Sequence, residues 1–140
     1  VGICFGHQIM AQALGGKVEK YSGGWGAGTM RYRMVDGREY DLNAMHQDQV
    51  TMRPPEAEVI CTSEFCENAG LAYKGKAISF QPHPEFDDHF MDDLLALRAG
   101  KSMSHERAGE ARASLGQGTD SPAVAAQIAK FFRETVKTPA

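Results

Sequence analysis

Apolar positions change their spacing several times along the chain, and each change marks an element. Val1 to Ile3 is a short apolar run of the kind a buried strand makes. Ile9, Met10, Ala13 and Leu14 recur at helical spacing, which predicts a helix over 6–14 with Gly15-Gly16 as its stop. Lys17 to Tyr21 alternates weakly, and 22–28 reads as a glycine-rich loop around Trp25. From Thr29 to Val35 the alternation is strict, Met30, Tyr32 and Met34 against Arg31 and Arg33, so a half-buried strand is expected, closed by an Asp36-Gly37 hairpin turn. A polar cluster, Met45-His46-Gln47-Asp48-Gln49, interrupts 42–50, and Pro54-Pro55 breaks the chain. Short strands are predicted at 59–62, 71–73 and 77–80, with Lys74-Gly75-Lys76 as a tight turn.

A helix is predicted over 87–99 with Phe90, Met91, Leu94, Leu95 and Leu97 inward, acidic residues in its first turn and Gly100 at its end. Residues 102–120 are polar and rich in Gly, Ser and Ala, and read as a mobile or inserted segment. Ser121 as N-cap and Pro122 at the first helical position open a final helix whose inner face carries Val124, Ile128, Phe131, Phe132 and Val136. Strands interleaved with amphipathic helices argue for an α/β sandwich with a largely parallel sheet, from which 29–73 is an antiparallel excursion.

With 140 residues the chain supports one core. A formal net charge of -3, with its 15 Lys and Arg scattered, gives no footprint for nucleic acid. No apolar run approaches the ~20 residues that span a bilayer. Cys4, Cys61 and Cys66 are an odd number in a chain that needs no covalent staples, so free thiols in a reducing, cytoplasmic compartment are expected rather than a Cys61–Cys66 disulfide.

Candidate chemistry begins at Cys4. In Gly2-Ile3-Cys4-Phe5-Gly6 a strand runs into a cysteine and a helix starts behind it, a nucleophile elbow with a thiol in place of a hydroxyl. The two glycines are expected to remove side chains that would clash in so sharp a turn. The helix N-terminus is expected to lower the thiol pKa, and the Phe5 N–H to serve as half of an oxyanion hole. In Gln81-Pro82-His83-Pro84-Glu85, His83 and Glu85 stand two residues apart in an extended segment and share one side, a spacing that Pro84 stiffens. A strand end precedes them, so they are expected on the same C-terminal rim of the sheet as Cys4, where open α/β folds place their sites. Nucleophile, base and orienting carboxylate are then present. His7 suggests no role, Trp25 reads as packing, and His89 and His105, without companions, make no metal site.

These two motifs, Gly2-Ile3-Cys4-Phe5-Gly6-His7-Gln8 and Pro82-His83-Pro84-Glu85, resemble those of the class I (triad) glutamine amidotransferases, of the type found in GMP synthase and stand-alone relatives. The resemblance runs from Val1 to about Ala99. It implies a flavodoxin-like three-layer sandwich with a mostly parallel sheet, in which 1–100 is the C-terminal part of the amidotransferase domain, 101–120 a polar connection, and 121–140 a helix on the same domain. It further implies that Cys4 attacks the side-chain amide of L-glutamine, that His83, oriented by Glu85, passes the proton to ammonia, and that a γ-glutamyl thioester is then hydrolysed. Phe5, Gln8, His46 and Gln47 are implied in substrate binding, although many members carry glycine where Gln47 stands. No metal or other cofactor is implied.

The family carries about half its domain, including the loop that completes the oxyanion hole, ahead of the elbow. Val1 to Ala140 alone is therefore expected not to fold stably, its N-terminal segment being supplied from elsewhere. A synthetase subunit or domain would accept the ammonia. A γ-glutamyl hydrolase or cysteine peptidase on the same elbow, and a non-catalytic regulatory relative, are the alternatives.

Overall fold

The computed structural model describes residues 1–136, apart from the side chain of Val136; the last part of the 121–140 expectation lies outside them. The elements are β1 (Gly2–Ile3), α1 (Phe5–Ala13), β2 (Lys17–Lys20), β3 (Gly26–Met34), β4 (Glu39–His46), β5 (Asp48–Met52), β6 (Glu58–Thr62), β7 (Gly70–Tyr73), β8 (Ala77–Phe80), α2 (Asp88–Arg98), α3 (His105–Ala113) and α4 (Ser121–Val136). Six strands form one sheet in the order β1-β8-β7-β6-β3-β4, and β2 pairs with β5 in a second. The fold is α/β with a curled, mixed sheet, in keeping with the flavodoxin-like expectation. Among the described strands only β1 and β8 run parallel, with Ile3 opposite Phe80, and every other pairing is antiparallel. The antiparallel excursion expected over 29–73 is present and extends to β8, so the parallel pairing is limited to β1–β8 among the described strands; the short turns from β3 to β4 and from β7 to β8 permit only antiparallel neighbours.

Two of those turns follow their residues. At Asp36-Gly37 the Gly37 φ is 89° and the Asp36 carboxylate accepts from the Arg38 N–H at 3.0 Å. Lys74 and Gly75 take φ values of 46° and 71°, the doubly left-handed turn that matches the twist of a hairpin.

Side chains alternate across the sheet. Ile78 and Phe80 of β8, with Tyr32 and Leu42, face Val124 of α4, while Leu71 and Tyr73 of β7 face Ala11 of α1. α2 and α3 enclose a separate cluster of Met91, Leu95, Met103, Ala108 and Ala111 against Ala27 of β3.

Several helical expectations shift. α1 turns His7 and Ala11 inward and leaves Ile9 and Leu14 about half exposed. In α2, Met91 and Leu95 are buried whereas Phe90 and Leu97 lie exposed; Asp87 caps its first turn by accepting from the Phe90 N–H at 2.8 Å. Ser121 is the first residue within α4 rather than the residue before it, and its hydroxyl stands 3.0 Å from that of Thr119. Most of the supposed mobile segment 102–120 is ordered. Ser104 caps α3 through the Arg107 N–H, and Ala108 and Ala111 are buried. Alanines let α3 lie so close to β3 that a Cβ on Gly28 would come within 2.8 Å of the Ala111 carbonyl oxygen. The segment ahead of α4 also docks on β4: Asp41 N–H donates to Asp120 Oδ2, and Asp120 N–H donates to Asp41 O, both at 2.8 Å.

Candidate active site

The site is assembled where β1 and β8 end side by side. Cys4 follows β1 directly, its N–H donating to Phe80 O at 2.8 Å, and its own carbonyl accepts the first helical bond of α1 from Gln8 N at 3.0 Å. To make both connections Cys4 adopts φ 50° and ψ −101°, a conformation that costs a non-glycine residue about 1–3 kcal/mol. One flanking glycine explains itself. A Cβ on Gly2 would sit 2.7 Å from the backbone of Gly6 and 2.6 Å from Met10 Sδ, whereas a Cβ on Gly6 would meet nothing within 4 Å. The expected clash at both glycines therefore holds for Gly2 alone.

The Cys4 sulfur is half buried. It lies 3.8 Å from Met45 O, to which the thiol donates, and 3.5 Å from Gln81 Nε2, from which it accepts. Burial raises its pKa and outweighs the Phe5 N–H and the Gln81 amide, which both lower it; the Glu85 carboxylate adds to the rise. This corrects the expectation of a lowered value, because desolvation of the thiolate exceeds the help from the helix terminus. Cys61 and Cys66 are free, fully buried and pushed up to about 12 by burial.

Past β8 the expected extended segment is instead a turn at Pro84-Glu85, closed by the Phe86 N–H donating to His83 O at 3.3 Å, and it brings His83 Nδ1 to 2.6 Å from Glu85 Oε1. Nδ1 therefore donates, and Nε2 keeps the lone pair that a base needs. The His83 ring stacks flat on Phe86, with centroids 3.8 Å apart. A buried residue that gave no signal in the sequence fastens this segment: the Asn43 backbone carbonyl accepts from the His83 N–H (2.8 Å), and its side-chain amide donates to Phe86 O and Asp88 Oδ1 (3.0 Å each).

Of the candidate substrate-binding residues, Phe5 is exposed at the start of α1 beside the thiol. Gln8 donates through Nε2 to Asp48 O at 2.9 Å and to Gln81 Oε1 at 3.2 Å. His46 is 4% exposed, bonded through Nδ1 to Asp48 O at 3.0 Å, with Nε2 buried and unpartnered among the described residues. Burial pushes its pKa down to about 4, so the ring is neutral at pH 7. Gln47 links β4 to β5, and its carbonyl accepts from Tyr21 N–H at 2.9 Å.

His7, given no role from the sequence, is fully buried and ties α1 to β8 and to the loop between β6 and β7. Its ring lies 2.8 Å from Ser79 Oγ and 2.9 Å from Asn68 O, and burial pushes its pKa down to about 4. A carbonyl only accepts, so Nε2 carries the proton and Nδ1 receives the Ser79 hydroxyl. Trp25 packs on the α2–α3 cluster with its indole N–H on Ser102 O at 3.0 Å. His89 pairs only with Asp93, and no group of three or more potential metal ligands occurs among the described residues. No described helix is long and apolar enough to cross a membrane.

Comparison with known proteins agrees with this geometry. A family profile described as glutamine amidotransferase class-I matches residues 1–96. A glutamine amidotransferase-like protein of Schizosaccharomyces pombe is 29% identical over 142 residues, covering 96% of this chain and 57% of its own. One of the subunits of the glutamine-hydrolysing GMP synthase of Methanothrix thermoacetophila is 32% identical over 69% of this chain and 61% of its own. Gamma-glutamyl peptidase 5 of Arabidopsis thaliana is 26% identical over 82% of this chain and 51% of its own. The chain thus spans between about half and three fifths of the length of these relatives. Among solved structures, a glutamine amidotransferase of Methylobacillus flagellatus superposes with TM-score 0.62 at 26% identity, over 69% of this chain and 42% of that one. One from Thermotoga maritima shares the fold with TM-score 0.67 at 23% identity, over 98% of this chain and 62% of that one. With both motifs inside the matched span, the chain belongs to the class I glutamine amidotransferase family.

Proposed function

We propose that the protein hydrolyses the side-chain amide of L-glutamine through a Cys4 γ-glutamyl thioester and passes the ammonia to an acceptor. The observation that carries this reading is the parallel β1–β8 pair, which delivers a strained Cys4 and the bonded His83–Glu85 pair to one edge of the sheet. His83 Nε2 takes the thiol proton as Sγ bonds to the amide carbon. The Phe5 N–H stabilises the oxyanion, and His83 returns the proton to the departing nitrogen, releasing ammonia. Water then cleaves the thioester, leaving glutamate and the free thiol. Glu85 holds the Nδ1–H tautomer throughout, and Gln8, His46 and Gln47 shape the substrate's surroundings.

The relatives that are GMP synthase subunits favour a synthetase subunit or domain as the acceptor. In the intact protein, ammonia release from free glutamine is expected, and Cys4→Ser should reduce it at least 1,000-fold, on the order of the loss when a catalytic nucleophile is removed. A diazo-ketone analogue of glutamine should label Cys4 alone, since Cys61 and Cys66 are buried and protonated. Unchanged activity in Cys4→Ser, or labelling elsewhere, overturns the proposal.

The likeness to gamma-glutamyl peptidase 5 supports a second reading, cleavage of γ-glutamyl bonds by the same acyl-enzyme chemistry. Faster turnover of γ-glutamyl amides than of free glutamine would select it. Three free thiols fit a reducing, cytoplasmic setting for either activity.

A further inference from the structure

We propose that Gln81 is a hydrogen-bond donor that supports the Cys4 thiolate, its orientation dictated by a chain of amides running back to the backbone at Asp48; this rests on reading Cys4 as the nucleophile. A glutamine side chain can present either end of its amide, and only its partners decide which. Here the decision starts at a group with no choice. Asp48 O can only accept, so the end of Gln8 that lies 2.9 Å from it is Nε2. The same Nε2 stands 3.2 Å from the Gln81 amide, and two nitrogens cannot bond there, so Gln81 offers Oε1. Its Nε2 is then the atom left 3.5 Å from Cys4 Sγ.

Gln81 has no other course. It is fully buried, its backbone N–H is engaged by Ala69 O at 2.8 Å, and Pro82 follows it. Burying an amide without partners is costly, so a glutamine placed against a sulfur in the interior is held there by what it bonds. The donor matters because Met45 O, also close to the sulfur, favours the protonated thiol and repels the thiolate, and among side chains at the sulfur Gln81 joins the Phe5 backbone N–H in opposing that bias. The Gln81 contact strengthens as negative charge develops on sulfur, a charge-assisted bond.

The test is the pH dependence of Cys4 alkylation by iodoacetamide in the intact protein, with thermal melting as the check on folding. In Gln81→Leu, of similar size and without donors, the inflection is expected to rise by about one pH unit, which is about a tenfold slower reaction at pH 7. Gln81→Glu should raise it further by adding a carboxylate. Gln8→Ala, which leaves Gln81 in place but removes the amide that orients it, should shift it in the same direction by less, and keeps the test open if Gln81 variants fail to fold. Profiles that superimpose on the parent protein for the folded variants overturn the proposal. Cys4→Ser with full glutamine hydrolysis would sink the catalytic reading instead, while the shift in alkylation would still be measurable.

Discussion

Two buried histidines lie close to the candidate nucleophile, and both have pKa values near 4 against 6.5 when solvated. Because folding lowers these values, the unfolded chain binds more protons than the folded one as pH falls from about 6.5 toward 4. Stability is full above that window and is lost within it, by about 3 kcal/mol per histidine. Melting temperature is expected to drop steeply between pH 6.5 and 4, and replacing His46 with Gln should flatten part of the slope; an unchanged slope would refute its share. Reading the sequence singled out Cys4, His83 and Glu85 as candidates because each motif is local and the chemistry depends on type and spacing. It gave His7 no task and passed over Asn43, since a polar residue fixed by partners 61, 72 or 45 positions away shows nothing in its own neighbourhood.

Elements show the same division. Strands whose faces differ, such as β3 with Tyr32 and Met34 buried between exposed arginines, were legible from alternation. α3 was not, because its inner face is built from alanines and its mean hydropathy resembles that of a loop. Its closeness to β3 makes a definite demand on size. Ala111→Leu should overpack that contact and cost about 1–3 kcal/mol in urea denaturation, with loss of protection in 105–113 by hydrogen exchange. The segment bearing His83 depends on Asn43 in turn. Asn43→Ala removes bonds to Phe86 and Asp88 and should lower kcat for glutamine more than KM, with about 1–2 kcal/mol of stability lost. An equal change in both constants would argue that the loop does not need this anchor.

Across the whole molecule, the α/β class, the antiparallel run over 29–73 and the meeting of the two motifs at one sheet edge were legible, whereas the pairing partners of most strands were not. Alternation gives a strand its buried face but says nothing of which neighbour it takes or in which sense. The final helix belongs to the main core: Val124 is fully buried among Tyr32, Leu42 and Phe80 of the sheet. Val124→Ala should therefore cost about 2 kcal/mol, measured as a fall in the denaturation midpoint, although it lies far along the chain from the candidate-site motifs.

At the outer side of β4 the peptide groups of Asp41 are taken by Asp120, and the carbonyl of Asn43 is taken by His83. An open strand flank is where foreign chains add themselves and fibrils begin. Here the same short contacts that station the histidine and lead into the last helix leave an incoming strand few places to bond. A mutation that frees them would expose the protein to self-association as well as misplace the imidazole, so solubility and activity would fail together.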